Sequence, residues 1–241
     1  MHWNIVIPCY QQALWLEACL RSVDTALRYA TGTATVTVVD DASPDHTPEL
    51  MQYLRVLYPW LRYIRHGTNR GVSAARNTGI AAVQSEYVLV LDADDRISRK
   101  FLQVCEDVLA RADIAFTDRR RFGQQWQYFP ASRVTLGRLQ QGPFIHCSCP
   151  YRRTVWETVG GYDEGEDLRL NFEDYDFWIR AAKAGCVFEC APRRAILWHR
   201  HHGRHRLQAE ALRRQLQSRV LFQDAVAAVQ RRHPGFYTQR G

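Results

Sequence analysis

The amino-acid sequence predicts an α/β protein with a mostly parallel central sheet flanked by helices, and three observations carry that prediction. Apolar, β-branched runs alternate with helix-period segments through the first half of the chain, as in sheets built from β-α-β units with right-handed crossovers. Several of those runs stop at polar or acidic residues, and in open α/β sheets the carboxyl ends of the strands are where ligands bind. The chain has 241 residues, 46% of them hydrophobic and 12% aromatic, enough to bury one large core.

Asn4-Ile-Val-Ile7 reads as the first strand, and residues 13–29 as a helix with Leu14, Leu20, Val23 and Leu27 facing inward. Ala34-Thr-Val-Thr-Val-Val39 is the second strand, followed by a helix over residues 47–58 and a short strand at Leu61-Arg-Tyr-Ile64. The Ala-rich stretch 71–84 predicts a helix, and residues 87–91 the next strand. The rhythm changes after Asp113-Ile-Ala-Phe-Thr117. Residues 119–150, rich in Arg, Gln, Gly and aromatic residues, predict short antiparallel strands with a helix near 132–140. A helix over 174–184, short strands near 187–190 and 195–198, and a long amphipathic helix over 207–230 complete the pattern.

Bulk properties narrow the functional classes. No run approaches the roughly 18 consecutive apolar residues of a membrane span, and Met1-His2-Trp3-Asn4 leads into a strand without a basic leader, so a cytoplasmic protein is expected. The cysteines Cys9, Cys19, Cys105, Cys147, Cys149, Cys186 and Cys190 are scattered among apolar neighbours, as reduced core thiols are. The spacings among Cys147, Cys149, Cys186 and Cys190 match no common zinc site. The net charge of +7 lies wholly in the tail: residues 199–241 hold nine Arg against Glu210 and Asp224, and the rest of the chain balances. A basic appendage on a neutral body implies an anionic partner, whether a phosphorylated substrate, an acidic membrane surface or nucleic acid. The stripe Leu212, Leu216, Val220 and Val229, with Arg213, Arg214 and Arg219 elsewhere on the helix, suits either peripheral contact with the inner face of an anionic membrane or packing on its own domain.

The chemistry concentrates where strands end. Tyr87-Val-Leu-Val-Leu-Asp-Ala-Asp-Asp95 finishes an apolar strand in three carboxylates, Asp92, Asp94 and Asp95. Crowded carboxylates repel and resist desolvation, so this arrangement points to a hard divalent cation with oxygen ligands. Pro8-Cys-Tyr10-Gln11 and Asp40-Asp-Ala-Ser43 end the first two strands, and Tyr10 with Asp40 or Asp41 suits a planar base. Asn69-Arg-Gly71 opens a helix carrying Arg76 and Asn77, and Arg70 or Arg76 with that helix start can receive a diphosphate. Gly160-Gly-Tyr-Asp163 precedes Asn171-Phe-Glu-Asp-Tyr-Asp176, whose acidic helix start offers a general base facing the crevice. Trp198-His-Arg-His-His-Gly-Arg-His205 supplies imidazoles that can complete the cation's ligand shell. Arg119, Arg120, Arg121, Trp126, Tyr128 and Phe129 offer planar cations and aromatic faces suited to sugars or phosphates.

The ordered set Ile7-Pro-Cys-Tyr10, Asp40-Asp41, Asn69-x-Gly71 with Ala75-Arg-Asn-x-Gly79, Leu91-Asp-Ala-Asp-Asp95, Gly160-Gly-Tyr-Asp163, Glu173-Asp174 and a late His resembles glycosyltransferase family 2, the GT-A fold, over residues 4–203. The resemblance implies an inverting enzyme that uses a nucleotide-sugar donor, most commonly a UDP-sugar, with Mg²⁺ or Mn²⁺. It implies a glycosyltransferase domain over residues 1–203, with a donor-binding half at 1–117 and an acceptor-side half at 118–203, followed by a basic helical tail at 204–241. By the same resemblance Pro8, Tyr10 and Asp40 or Asp41 bind the nucleobase. Asn69, Gly71, Arg76, Asn77, Asp92 and Ala93 belong to the nucleotide-sugar site, with Asp92 on the ribose or the metal. Asp94 binds the metal, His201 matches the family's late metal-binding His, and Asp174 is the catalytic base with Glu173 beside it. The acceptor implied is a glycan or a lipid-linked hydroxyl. Gln11 stands where Asn is usual, His199 where Arg is common, and Arg204 where a small hydroxyl residue often follows the Gly, which leaves His199, His201 and His202 as alternative ligands.

Two other classes are less well served. A nucleotidyltransferase acting on a sugar phosphate calls for a Gly-rich basic loop after the first strand, and Pro8-Cys-Tyr10-Gln11 is not one. A nucleic-acid or glycan-binding module using the Arg-rich tail would meet repulsion of a phosphate polymer at the strand-end carboxylates, so no nucleic-acid partner is expected.

Overall fold

The computed structural model describes residues 1–165, 172–191, 193–201 and 218–237. Strands β1 (His2–Cys9), β2 (Thr33–Asp40), β3 (Leu61–Arg65) and β4 (Tyr87–Val90) alternate with helices α1 (Ala13–Leu27), α2 (Thr47–Leu57) and α3 (Val72–Ala81). Then come β5 (Arg96–Ile97), α4 (Phe101–Leu109), β6 (Ile114–Phe116), β7 (Asp118–Gly123), β8 (Gln127–Phe129) and α5 (Leu136–Gln141). The remainder holds β9 (Tyr151–Arg152), α6 (Arg153–Val159), α7 (Glu173–Lys183), β10 (Phe188–Cys190), β11 (Ile196–His201) and α8 (Ser218–Arg232).

Seven strands form the central sheet in the order β10-β6-β9-β4-β1-β2-β3. Every pairing is parallel except those of β9, which runs antiparallel to both β4 and β6. Both faces are covered, so the strands are apolar on both sides. Along β1, Trp3, Ile5 and Ile7 face a core shared with α1, α2 and α4, while Val6 faces one shared with α3, α6, α7 and α8. A second sheet, β5-β11-β7-β8, lies at the acidic end of β4: β11 runs parallel to β7, and the edge pairs are antiparallel. The mostly parallel sheet and the short antiparallel strands after residue 118 agree with the sequence expectation.

Several local expectations are corrected. Leu14 is 75% exposed rather than inward, because the buried stripe of α1 runs through Leu16, Cys19, Leu20, Val23 and Ala26, and Leu14 lies off that phase. The helix expected near 132–140 is the shorter α5; Thr135 caps it, its hydroxyl accepting from the Arg138 N–H at 3.3 Å. β9 and α6 have no counterpart in the sequence expectation, since two residues of strand followed directly by a short helix leave no readable period. Within the expected tail helix, residues 207–217 and the side chains of Arg219 and Val220 lie outside the described residues, as do His202 and Arg204. Val229 is fully buried against the domain, so this part of the apolar stripe packs inward. All seven cysteines are free thiols. Among the described residues no helix is long and apolar enough to cross a membrane.

Candidate active site

The acidic turn after β4 splits its carboxylates between different tasks. Asp95 is buried, its Oδ2 3.1 Å from His199 Nδ1 and its Oδ1 accepting the Arg200 N–H at 2.9 Å, so it ties the β4 turn to β11. Burial pushes the Asp95 carboxyl up to about 6 although His199 opposes this, and the same contact holds His199 above its ordinary value against its own burial. Asp92 and Asp94 remain half-buried, and Ala93 is buried between them. His201 is half-buried at the end of β11. Asp92 Oδ1 lies 3.4 Å from the Arg76 guanidinium, and the Cys147 thiol donates to its Oδ2 at 3.4 Å.

At the neighbouring strand ends, Tyr10 is 43% exposed, whereas Pro8 is buried within β1. The connections just beyond are bent: Gln11 and Ala42 adopt positive φ of 56° and 59°, an uncommon conformation for residues other than Gly. Asp40 is fully buried, accepting from the Ser43 N–H at 2.8 Å and the Tyr63 hydroxyl at 2.6 Å. Asp41 builds the next turn: its carboxylate accepts from the N–H groups of Arg70 (2.8 Å) and Gly71 (2.7 Å) and meets His66 Nδ1 at 2.7 Å. Gly71, at φ 92°, takes a backbone form closed to most side chains, and α3 starts immediately after it. Asn69 Nδ2 donates to the Asp41 carbonyl at 3.2 Å. These aspartates therefore shape the loops beside Tyr10, and their oxygens already accept protein donors.

Arg76, expected like Arg70 to receive a diphosphate, and Asn77, expected in the nucleotide-sugar site, both bond to groups within the protein. Arg76 is 2% exposed and wedged between acids: Nη1 donates to Glu173 Oε1 at 2.6 Å, Nη2 reaches Asp92, and the group lies over the Tyr162 ring. Its charge is neutralised inside the protein. Asn77 brackets the Gly-Gly-Tyr loop, its Nδ2 donating to the Tyr162 carbonyl and Glu164, its Oδ1 accepting from Trp156 Nε1 and the Tyr162 N–H. Gly161 (φ 82°) leaves room for that bracket, since a Cβ there would stand 3.0 Å from Asn77 Oδ1.

Helix α7 presents the candidate base. Phe172 precedes it in the left-handed region (φ 69°), which turns the chain sharply so that Glu173 and Asp174 open the helix. Arg76 takes up Glu173, leaving Asp174 as the half-buried carboxyl facing the cleft, with the Tyr175 N–H 2.8 Å from its own Oδ1. Burial first, then the adjacent Glu173 carboxylate, pushes Asp174 up to about 7 despite the opposing Arg76. A carboxyl so tuned exchanges a proton near neutral pH.

Asp174, Glu173, Asp92 and Asp95 line one cleft of about 480 Å³, closed on its other side by Arg119 and Arg121 of β7 and by the segment 143–147. Within that segment His146 is buried, 3.1 Å from the Thr117 hydroxyl, and burial, followed by the nearby Arg119, drives it down to about 3, so it stays neutral. Neither Cys147 nor His146 is marked as a cleft residue by sequence; Ile145-His-Cys-Ser-Cys149 carries only a Cys-x-Cys spacing that matches no common zinc site. Helix α8 and the residues after it are fastened to α7. His233 Nε2 meets Asp176 Oδ1 at 2.9 Å, and the Tyr237 hydroxyl donates to that of Tyr175 at 3.2 Å. Gln140, on α5, donates to the Phe236 carbonyl.

Among the described residues no three or more His, Cys, Asp and Glu side chains converge closely enough to hold an ion unaided. The donors at the β4 turn are hard oxygens, with Asp92 engaged by Arg76 and Asp95 by His199. Such a set fits a Mg²⁺-type ion that one or two carboxylates hold and substrate phosphates complete, not a closed protein cage.

Comparison with known proteins adds a family likeness. A family model described as Glycosyl transferase family 2 matches residues 4–200. The glycosyltransferase YibD of Escherichia coli (strain K12) is 31% identical over 150 residues, 58% of this chain and 41% of that one. The chondroitin synthase of Pasteurella multocida (strain Pm70) is 24% identical over 194 residues, 76% of this chain and 19% of that one. The chain thus spans less than half the length of these relatives. Among solved structures, S. aureus TarS 1–349 in complex with UDP-GlcNAc has a TM-score of 0.69 at 18% identity, covering 93% of this chain and 70% of that one, a likeness of fold.

Proposed function

We propose, from the premise that the chain belongs to glycosyl transferase family 2 and has the GT-A fold, that it moves a sugar from a nucleoside-diphosphate sugar to an acceptor hydroxyl with inversion at the anomeric carbon. The observation that carries this reading is Asp174: a carboxyl poised near 7 at the start of α7, in a cleft shared with the acidic end of β4. In the reaction Asp174 takes the proton of the acceptor hydroxyl as that oxygen attacks the anomeric carbon from the face opposite the leaving nucleoside diphosphate. Arg76 fixes the geometry by holding Glu173 and Asp92 together, so the base is oriented without competing for the same cation. Proton removal contributes about 10² to 10⁴-fold, and positioning in the cleft together with neutralisation of the leaving group contributes the rest.

Mn²⁺ or Mg²⁺ belongs to this reading. Asp94 would hold it, with Asp92 beside it and His201 as the family match, and when bound it neutralises negative charge on the diphosphate. Tyr10 offers its exposed ring to the nucleobase. The likeness to TarS, which was solved in complex with UDP-GlcNAc, supports a uridine diphosphate sugar as the first donor to try. The acceptor is a glycan or lipid-linked hydroxyl, reached in the cytoplasm or at the inner face of the membrane. Thermal-shift titration with UDP, GDP, ADP, CDP and dTDP and with UDP-GlcNAc, with and without Mn²⁺, tests the donor site: a metal-dependent rise in melting temperature with UDP and UDP-GlcNAc is expected, and no response to any of these nucleoside diphosphates would refute the reading.

A further inference from the structure

Among the described residues, two guanidinium groups in the cleft stand without an ion-paired carboxylate. β7 alternates, so Arg119 and Arg121 line the cleft while Arg120 points to the opposite face, over Tyr128 and Trp198. Both cleft arginines lie over the Phe129 ring, at 4.4 and 5.1 Å from its centroid. Among the described residues neither guanidinium forms an ion pair, and the Nε of each is buried with no hydrogen-bond partner. Arg76, Arg153 and Arg180, by contrast, each meet a carboxylate. Two like charges side by side in a partly desolvated wall repel, and burial followed by Arg121 already holds Arg119 below its ordinary range. A protein interior tolerates such a pair when an anion completes it. Guanidinium forks held over an aromatic ring present N–H groups in the planar array that phosphate and carboxylate oxygens match.

We infer that Arg119 and Arg121 form an anion subsite for a phosphate or carboxylate carried by the acceptor, an inference that rests on the glycosyl-transfer reading and specifies its acceptor. The pair belongs to the second sheet, whereas Tyr10 follows β1 of the first, and Asp94 lies in the turn that joins β4 of the first sheet to β5 of the second. An acceptor whose hydroxyl meets Asp174 has its neighbouring groups along β7 in the same cleft. A neutral glycan would bring neither guanidinium a charged hydrogen-bond partner.

Titration calorimetry of the whole chain with inorganic phosphate, in Mg²⁺ buffer with and without saturating UDP, tests this. Phosphate should bind in both conditions, at least tenfold more weakly to R119Q/R121Q and unchanged to R120Q, while UDP affinity of the double variant stays within twofold. Should the double variant misfold by circular dichroism, R121Q carries the same comparison. Competition between phosphate and UDP, with UDP affinity lost in R119Q/R121Q, would overturn the acceptor assignment and give the pair to the donor's diphosphate. Equal phosphate affinity in wild type and double variant, or equal loss in R120Q, would overturn the subsite. Phosphate binding through the pair without any UDP binding would remove the uridine donor and leave the anion subsite standing.

Discussion

Replacing Asp174 with Asn should raise stability and abolish transfer together. The carboxyl moves from 3.8 in its ordinary state to about 7 in the fold, burial being the main cause and Glu173 the second. At about 1.36 kcal/mol per pH unit the full shift corresponds to roughly 4 kcal/mol, and because Asp174 keeps one open side the expected gain is about 2–4 kcal/mol. The sign follows from linkage. The folded-state value lies above the unfolded one, so the wild type loses stability as pH climbs from about 4 through 7, while Asn does not titrate. Asn Oδ1 also keeps an acceptor for the Tyr175 N–H, which limits collateral loss. Urea unfolding of both proteins across pH 4 to 8.5 measures the difference: near zero at pH 4, growing through pH 7, flat above pH 8. The same variant should lose about 10² to 10⁴-fold in kcat with donor affinity retained. A stability difference that does not change with pH would refute the argument that the fold strains this carboxyl, and unchanged turnover would remove it as the base.

Other perturbations test the surrounding parts. Arg76→Gln leaves Glu173 buried and uncompensated and should cost about 3–5 kcal/mol by urea unfolding at pH 8, with much of the loss recovered in the double variant with Glu173→Gln. Since Arg76 lowers Asp174, the same substitution should move the rising limb of the pH–rate profile to higher pH. Asp94→Ala should abolish the Mn²⁺-dependent part of donor binding in calorimetry and leave the metal-free part unchanged. His233→Ala removes the buried 2.9 Å partner of Asp176 and should cost about 1–3 kcal/mol, with kcat falling and donor affinity steady.

What a sequence reveals follows the range over which each signal acts. The alternation of strands and helices is local, and so is the abrupt acidic end of β4, so the central sheet and the cluster around Asp92 are legible from residue order. The pairing of those groups is not. Arg76 carries a charge at a helix start, which suits a phosphate equally well, and only the fold brings in Glu173, 97 residues away. Asn77 and the Tyr162 carbonyl, 85 residues apart, are the same case. Within the run Arg119-Arg-Arg121, composition treats three arginines alike, and the register of β7 against β8 and β11 is what sends two of them to the cleft and one away. Leu14 shows the converse failure: its apolar side chain suggests burial, but the helical phase set by Leu16, Leu20 and Val23 turns it to solvent.

The anchoring of His233 and Tyr237 to Asp176 and Tyr175 makes the base helix addressable from the rear of the molecule. A tag, an antibody or a neighbouring domain that grips the stretch 218–237 also grips the element bearing Asp174, through contacts that never touch the cleft.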